Sequence, residues 1–169
     1  MALPLCHQTA RLLLRPVVAS DEAAVVSAID DIAVSGWLSV VPHPYTCADF
    51  HHFLAEIAVP GETYVIEDPS GFAGIIALTD RVLGYWVAPR AQGLGYATEA
   101  GRCLVAAHFA QGVEPLVSGY FEGNVRSAKV LAKLGFVETG RDRKTCVARR
   151  AELPHVVVEL SAERFRAQT

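Results

Sequence analysis

The stretch Leu83-Gly-Tyr-Trp-Val-Ala-Pro-Arg-Ala-Gln-Gly-Leu-Gly-Tyr-Ala-Thr-Glu99 runs from an apolar strand pattern through a proline into two glycines and then a helical run. Glycine reaches positive φ without steric penalty and lets another group approach the main chain closely, at an entropic cost an ordinary loop avoids. Pro89 ends the strand, so the Gln92–Ala97 loop falls at the mouth of the following helix. There the unpaired N–H groups and the positive end of the helix dipole favour an anion. Two linked phosphates can accept several such N–H bonds at once. Taken alone, a Gly-x-Gly is more often a plain turn. The better-known phosphate loops do not fit, because no Gly-Lys-Ser/Thr follows and Thr98 stands where a dinucleotide fingerprint needs its third glycine.

Outward from this centre the chain reads as mixed α and β. Upstream, Thr9 to Pro16 suggests a first strand, and Ser20-Asp21-Glu22 opens a helix through about Ile29. Thr46-Cys-Ala-Asp49 has capping-box spacing for a second helix, which Pro60-Gly61 ends. Thr63 to Glu67 and Phe72 to Thr79, separated by Asp68-Pro-Ser-Gly71, read as a hairpin, followed by a strand over Val82 to Ala88. Downstream, Gly95 to Gln111 is an amphipathic helix and Leu116 to Phe121 a strand. Asn124 to Leu134 sets Ala128, Leu131 and Leu134 opposite Arg126, Lys129 and Lys133, with Gly135 as the terminating residue. Two short strands, Phe136 to Thr139 and Val156 to Leu160, complete the pattern. The order predicts an α/β (mixed α+β) domain over 1–169: a central mixed sheet with helices on both faces.

Composition narrows the function. A chain of 169 residues with 51% hydrophobic content buries one sizeable core, and a net charge of −3 argues against a protein built to coat nucleic acid or an anionic membrane. Cys6, Cys47, Cys103 and Cys146 include no Cys-x-x-Cys pair, which points to a reduced, cytoplasmic setting and to core packing for the thiols. No metal is expected: His51 and His52 are adjacent and diverge on a helix, and His108 lies on an apolar stripe. Arg141, Arg143, Lys144, Arg149 and Arg150 read as a solvated hairpin between the last two strands rather than an RNA surface. Trp37, His43 and Tyr45 are candidate pocket residues that could equally be packing or turn residues.

Three ordered motifs, Leu83 to Pro89, Gln92-x-x-Gly95-x-Ala97 and Gly123-Asn-Val-Arg-Ser-Ala-Lys-Val-Leu-Ala-Lys-Leu-Gly-Phe136, resemble the GNAT superfamily of acetyl-CoA-dependent N-acetyltransferases, and within it the RimJ/RimL-like branch. The resemblance extends to Thr9–Pro16 and Pro42–Thr46. It implies a mostly antiparallel, twisted sheet of about six to seven strands with about four helices, splayed between its two central strands. It also implies that main chain near Trp86 and Val87 pairs with the pantetheine arm of acetyl-CoA, as a cofactor adding itself to a strand. Gln92, Gly93, Leu94, Gly95, Tyr96, Ala97 and Thr98 then surround the pyrophosphate. Asn124 and Ser127 approach the pantetheine and its sulfur, Lys133 the adenosine phosphates, and Trp37, His43, Tyr45 and Tyr120 the acceptor.

The expected activity is acetyl transfer to a primary amine, a protein N-terminus or a small molecule, by a monomer or homodimer. An amine attacks a thioester only when neutral, so the site must take a proton, hold an oxyanion and release a thiolate. Ser127 is the expected hydroxyl near sulfur. Relatives with a Tyr seven residues after the Asn have Leu131 here, and those with a Glu opening the splayed strand have Arg81. Glu67, Tyr120, Glu122 and His43 are candidate substitutes, and a water chain to solvent would also serve. These departures leave a second reading, a non-catalytic acyl-CoA-binding or regulatory module.

Overall fold

The computed structural model describes residues 3–168. Its strands form an eight-stranded sheet in the order β1-β2-β3-β4-β5-β6-β8-β7. They are β1 (His7–Gln8), β2 (Leu13–Pro16), β3 (Thr63–Asp68), β4 (Gly71–Thr79), β5 (Val82–Val87), β6 (Leu116–Phe121), β7 (Val137–Cys146) and β8 (Ala151–Leu160). All neighbours are antiparallel except β5 and β6, which run parallel.

Three short helices precede β3: α1 (Glu22–Ile29), α2 (Ile32–Ser35) and α3 (Cys47–His52), the last continuing as a wider turn through Ile57. The long α4 (Tyr96–Gln111) separates β5 from β6, α5 (Val125–Leu134) follows β6, and α6 (Ala162–Arg166) follows β8. The Thr46–Asp49 capping box forms as expected, with the Thr46 amide donating to the Asp49 carboxylate at 2.8 Å.

Each sheet face has its own core, as strand alternation requires. Val25, Ile29, Val34 and Phe50 cover one face around Val65 and Ile75. Leu104, Val105, Leu131 and Leu134 cover the other with Ile76, Leu83, Val156, Val158 and Leu160. Leu131 is 1% exposed, so its position is a packing site.

The sequence pattern understated the strands in two places. The expected first strand is a hairpin, with the Thr9 amide donating to the Leu12 carbonyl at 2.9 Å between β1 and β2. The last two strands extend through the basic cluster, pairing from Val137↔Glu159 to Cys146↔Ala151. Most of β7 is exposed, so its sequence lacks the apolar alternation that marks a half-buried strand. Arg141, Arg143 and Lys144 therefore stand on a strand, with Arg149 and Arg150 at the hairpin turn. That turn folds back onto the segment after α2: the Val147 amide donates to the Ser39 carbonyl at 3.0 Å, and buried Cys146 reaches the Leu38 carbonyl at 3.4 Å. Cys6 and Cys47 are exposed, contrary to the core packing expected of all four thiols.

Candidate functional site

The two central strands touch at one register pair, Val82↔Val117. The Val117 amide donates to the Arg81 carbonyl at 2.9 Å, and the buried Ser118 hydroxyl donates to the Leu83 carbonyl at 2.7 Å. Beyond that point β5 and β6 diverge, and a cavity of about 1180 Å³ opens between them.

Strand periodicity decides which groups β5 offers to the gap. Even-numbered residues turn their main chain toward β4: the Ala88 amide donates to the Ala73 carbonyl at 2.8 Å. The Trp86 carbonyl lies so near Gly74 that a Cβ there would stand 2.3 Å away. Odd-numbered residues face the other way, as the Leu83 carbonyl does. The main chain turned to the cleft thus belongs to Tyr85 and Val87, not to Trp86. Trp86 lines the cavity with its ring instead, packed on Phe72 at 5.6 Å.

Pro89–Ala91 makes a short turn after β5. Arg90 clamps it by a forked contact to Asp68, 3.0 Å to each oxygen, and by the Gly71 carbonyl at 2.9 Å. The Arg90 guanidinium holds the Asp68 carboxyl below its usual range. Gln92 bridges the loop to both sides, its amide nitrogen 3.2 Å from the Val87 carbonyl and its oxygen accepting from Arg126.

Gly93 and Gly95 sit at φ +79° and +80°, a left-handed region unfavourable for other residues. A side chain at Gly93 would meet nothing within 4 Å; at Gly95 it would meet only Arg11, at 3.5 Å. The space over the main chain is open, at the N-terminus of the 16-residue α4. Arg11 stands beside it, paired with Glu99 at 2.7 Å, donating to the Leu94 carbonyl at 3.0 Å and lying over the Tyr96 ring at 4.9 Å. Burial alone would raise the Glu99 carboxyl, but bonds from Thr9 and Arg11 outweigh it and hold the group ionised. Arg126, Lys129 and Lys133 line the cavity from α5. Such an open, left-handed glycine cradle with cations on two sides fits a diphosphate, and the unpaired edge of β5 fits an amide-bearing chain.

On the α4–α5 side of the cleft, the Tyr85 hydroxyl lies 2.9 Å from Ser127 Oγ. Burial pushes the Tyr85 pKa up to about 12, with the Ser127 contact pulling weakly the other way. Asn124 caps α5, its side-chain oxygen accepting from the Ser127 amide at 3.1 Å, so it orients Ser127. On the opposite face are Trp37, with Arg149 stacked on its ring at 4.4 Å, and His155, whose Nδ1 is 2.8 Å from Asp142 Oδ1.

The matching family model is the acetyltransferase (GNAT) domain, over residues 11–137. This chain belongs to the GNAT acetyltransferase family. No curated protein matches it by sequence. Mycobacterium smegmatis RimJ in complex with CoA-disulfide is 26% identical, over 90% of this chain and 82% of that one, with a TM-score of 0.74. A ribosomal-protein-S5-alanine acetyltransferase from Vibrio fischeri shares 19% identity over 96% and 99% of the two chains, with a TM-score of 0.76. A GNAT-family acetyltransferase from Bacillus anthracis shares 18% over 94% and 99%, with a TM-score of 0.79. These likenesses agree with the RimJ/RimL-like resemblance in the sequence.

Within this GNAT fold, most of the residues singled out from sequence reach one cleft. Trp86, Val87, Gln92, Gly93 and Gly95 line it from the β5 side, Tyr96, Ala97 and Thr98 from the start of α4, and Asn124, Ser127 and Lys133 from α5. Leu94 turns its side chain outward, 48% exposed, and contributes its carbonyl to Arg11.

The expected acceptor residues divide. Trp37 lines the cleft. Tyr120 also lines it, but packs on the α4–α5 face, because β6 alternation turns it with Leu116 and Ser118 rather than toward Trp86. Tyr45 is 7% exposed in the core beneath α1 and α3, and burial pushes its pKa up to about 12. His43 lies 3.5 Å from Asp30 at the end of α1, outside the cleft lining.

The proposed substitutes for a missing base are also engaged elsewhere. Glu67 pairs with Arg15 at 2.7 Å, and Glu122 with Arg141 at 2.9 Å. Arg81 occupies the β4–β5 turn at φ +68°. Tyr85, Arg11, Asp142 and His155 were missed. Tyr85 and Arg11 fell inside stretches that carry the resemblance, but their partners stand far away in sequence, and Asp142 meets His155 only through the register of the β7–β8 hairpin.

Among the described residues no group of three or more His, Cys, Asp or Glu could hold a metal. None of their helices is long and apolar enough to cross a membrane.

Proposed function

We propose that this GNAT protein transfers the acetyl group of acetyl-CoA directly to a primary amine in a ternary complex. The observation that carries the reading is the main-chain edge that Tyr85 and Val87 turn into the cleft, free of any strand partner, leading into the open Gly93–Gly95 cradle. Bound acetyl-CoA supplies an activated thioester, so no side-chain nucleophile is needed.

The residues divide the work. Amides from Gly93 to Ala97, at the positive end of α4, take the diphosphate, with Arg126, Lys129 and Lys133 nearby for the remaining phosphate charge. Tyr85 and Val87 pair with the pantetheine amides. The Val87 N–H, pre-aimed into the cleft, is the donor for the oxyanion. Ser127 Oγ stands by the sulfur, backed by Tyr85.

Burial pushes the Tyr85 hydroxyl up to about 12, which makes it a weaker acid than a thiol of about 8.5. The pair therefore stabilises the departing thiolate by hydrogen bonding, and sulfur leaves as the anion.

The acceptor enters from the face carrying Trp37 and Trp86, and is a peptide N-terminus or a small amine. The named activity of the Vibrio fischeri neighbour, on a ribosomal-protein alanine, supports including N-terminal peptides. A screen of N-terminal peptides and small amines, monitored by CoA thiol release at saturating acetyl-CoA, tests the reading. Amine-dependent release is expected. Tight acetyl-CoA binding with no release for any amine would favour the acyl-CoA-binding module that Leu131 and Arg81 suggest.

A further inference from the structure

The cleft has a proton acceptor that none of its phosphate or pantetheine contacts uses. His155 is on β8, opposite Phe121 of β6 and Asp142 of β7. Its side chain is only 11% exposed, and its Nδ1 lies 2.8 Å from Asp142 Oδ1. An ionised carboxylate only accepts hydrogen bonds, so the proton of a neutral His155 ring sits on Nδ1 and the lone pair on Nε2.

The Cε1–Nε2 edge is turned over Gly119. A Cβ on Gly119 would fall 2.4 Å from Cε1 and 2.5 Å from Nε2, so glycine is what lets the ring lie over β6. The Phe121 ring braces it at 5.7 Å. Gly119, Asp142 and His155 all line the cavity. Alternation on β8 places Val156, Val158 and Leu160 in the core under α4 and α5, so His155 projects from the other face, the one carrying Trp86. Ser127 and Tyr85 occupy the opposite side.

The geometry points to His155, oriented by Asp142, as the base that takes a proton from the acceptor ammonium on the face of the cleft opposite Ser127. This rests on the acetyl-transfer reading and supplies the group that Arg81 cannot. The ammonium nitrogen gives one proton to Nε2, and its freed lone pair forms the C–N bond to the thioester carbon. The C–S bond breaks as the oxyanion pair returns to carbon, and sulfur leaves with the bonding electrons as the thiolate. The nitrogen's second proton, far more acidic than a thiol once the C–N bond has formed, reaches sulfur through solvent, so one proton is released per turnover, carried out by His155. His155 is the catalytic residue and Asp142 its positioning partner. Lys144 is the other charged group on this face of β7; β6 contributes none.

The test uses the full chain with the most active amine from the acceptor screen. His155→Ala should lower kcat about 100-fold near neutral pH, leave acetyl-CoA affinity by calorimetry unchanged, and recover activity with added imidazole. The rising limb of the pH–rate profile should vanish in His155→Ala. Asp142→Asn should lose about tenfold in kcat with acetyl-CoA affinity unchanged, and Asp142→Glu should restore most of it, because a carboxylate again fixes the Nδ1–H tautomer. Should the variants fold poorly, ¹⁵N spectra of the wild-type ring decide: a neutral Nδ1–H tautomer is expected. Wild type that turns over while His155→Ala keeps its rate across the pH range, or an Nε2–H tautomer in the wild type, overturns the base assignment alone. Wild type that turns over no amine overturns the acetyl-transfer reading and the base with it.

Discussion

The two halves of the cleft are built by different means. The half around Gly93 and Gly95 is main chain: a strand edge, a left-handed loop and a helix N-terminus contributed by one continuous segment. The half around Trp37, Trp86 and His155 is side chain, gathered from the segment after α2, from β5 and from the β7–β8 hairpin. A main-chain site depends on φ values and small residues, so it leaves a local signature. A side-chain site depends on strand register and long-range docking, and leaves almost none.

Substitutions can separate the two halves. The largest effect is expected at Gly95. A Gly95→Leu side chain would be strained at φ +80° and would fill the cradle, at a combined cost of about 2–3 kcal/mol, or roughly 30- to 150-fold in CoA affinity. Calorimetry that finds unchanged affinity would remove the diphosphate from this loop.

On the other half, Gly119→Ala puts a methyl 2.4 Å from the His155 ring and must displace it. Turnover should fall about tenfold while CoA affinity holds, because acid–base efficiency depends on placement. Loss of CoA binding instead would show that the halves are not separable.

Tyr85→Phe removes one hydroxyl beside Ser127 and should reduce kcat about fivefold, the worth of a hydrogen bond of about 1 kcal/mol, with the fold intact. Turnover equal to wild type would reduce Tyr85 to packing.

The smallest effect is on stability. Asp68 and Asp21 both have folded-state pKa values below the ordinary carboxylate value, Asp68 chiefly through Arg90, Asp21 through Arg15 and the Val18 amide against an opposing burial effect. Their contribution is therefore complete above about pH 5 and is lost as pH falls through the unfolded and then the folded values. Thermal melts should drop between pH 5 and pH 2.5, and Asp68→Asn should flatten part of that slope.

The same division explains what the sequence disclosed. The strand–loop–helix centre, the Gly135 stop and the Thr46–Asp49 box were readable because each is specified within a few residues. Of β7 only the start, to Thr139, was readable, because an edge strand exposed on both faces carries no apolar period. His43 and Tyr45 show the converse limit: an aromatic or histidine in a Pro-rich loop looks alike whether it faces a ligand or, like Tyr45, the core. His155 sits in an apolar run, Leu153 to Leu160, that reads only as a strand. Its meaning comes from Asp142 across the hairpin and from the missing side chain at Gly119. Tyr85 lay within the recognised motif, yet its hydroxyl acquires a role only through Ser127, brought beside it by α5.

Amide shifts in ¹⁵N-labelled protein titrated with CoA test most directly whether the β5 edge and glycine cradle receive the acyl donor. The largest changes are expected at Tyr85, Val87 and Gly93 through Ala97, with Trp86, whose main chain faces β4, moving less. Saturable CoA binding that leaves these amides unmoved while another surface responds would contradict the account.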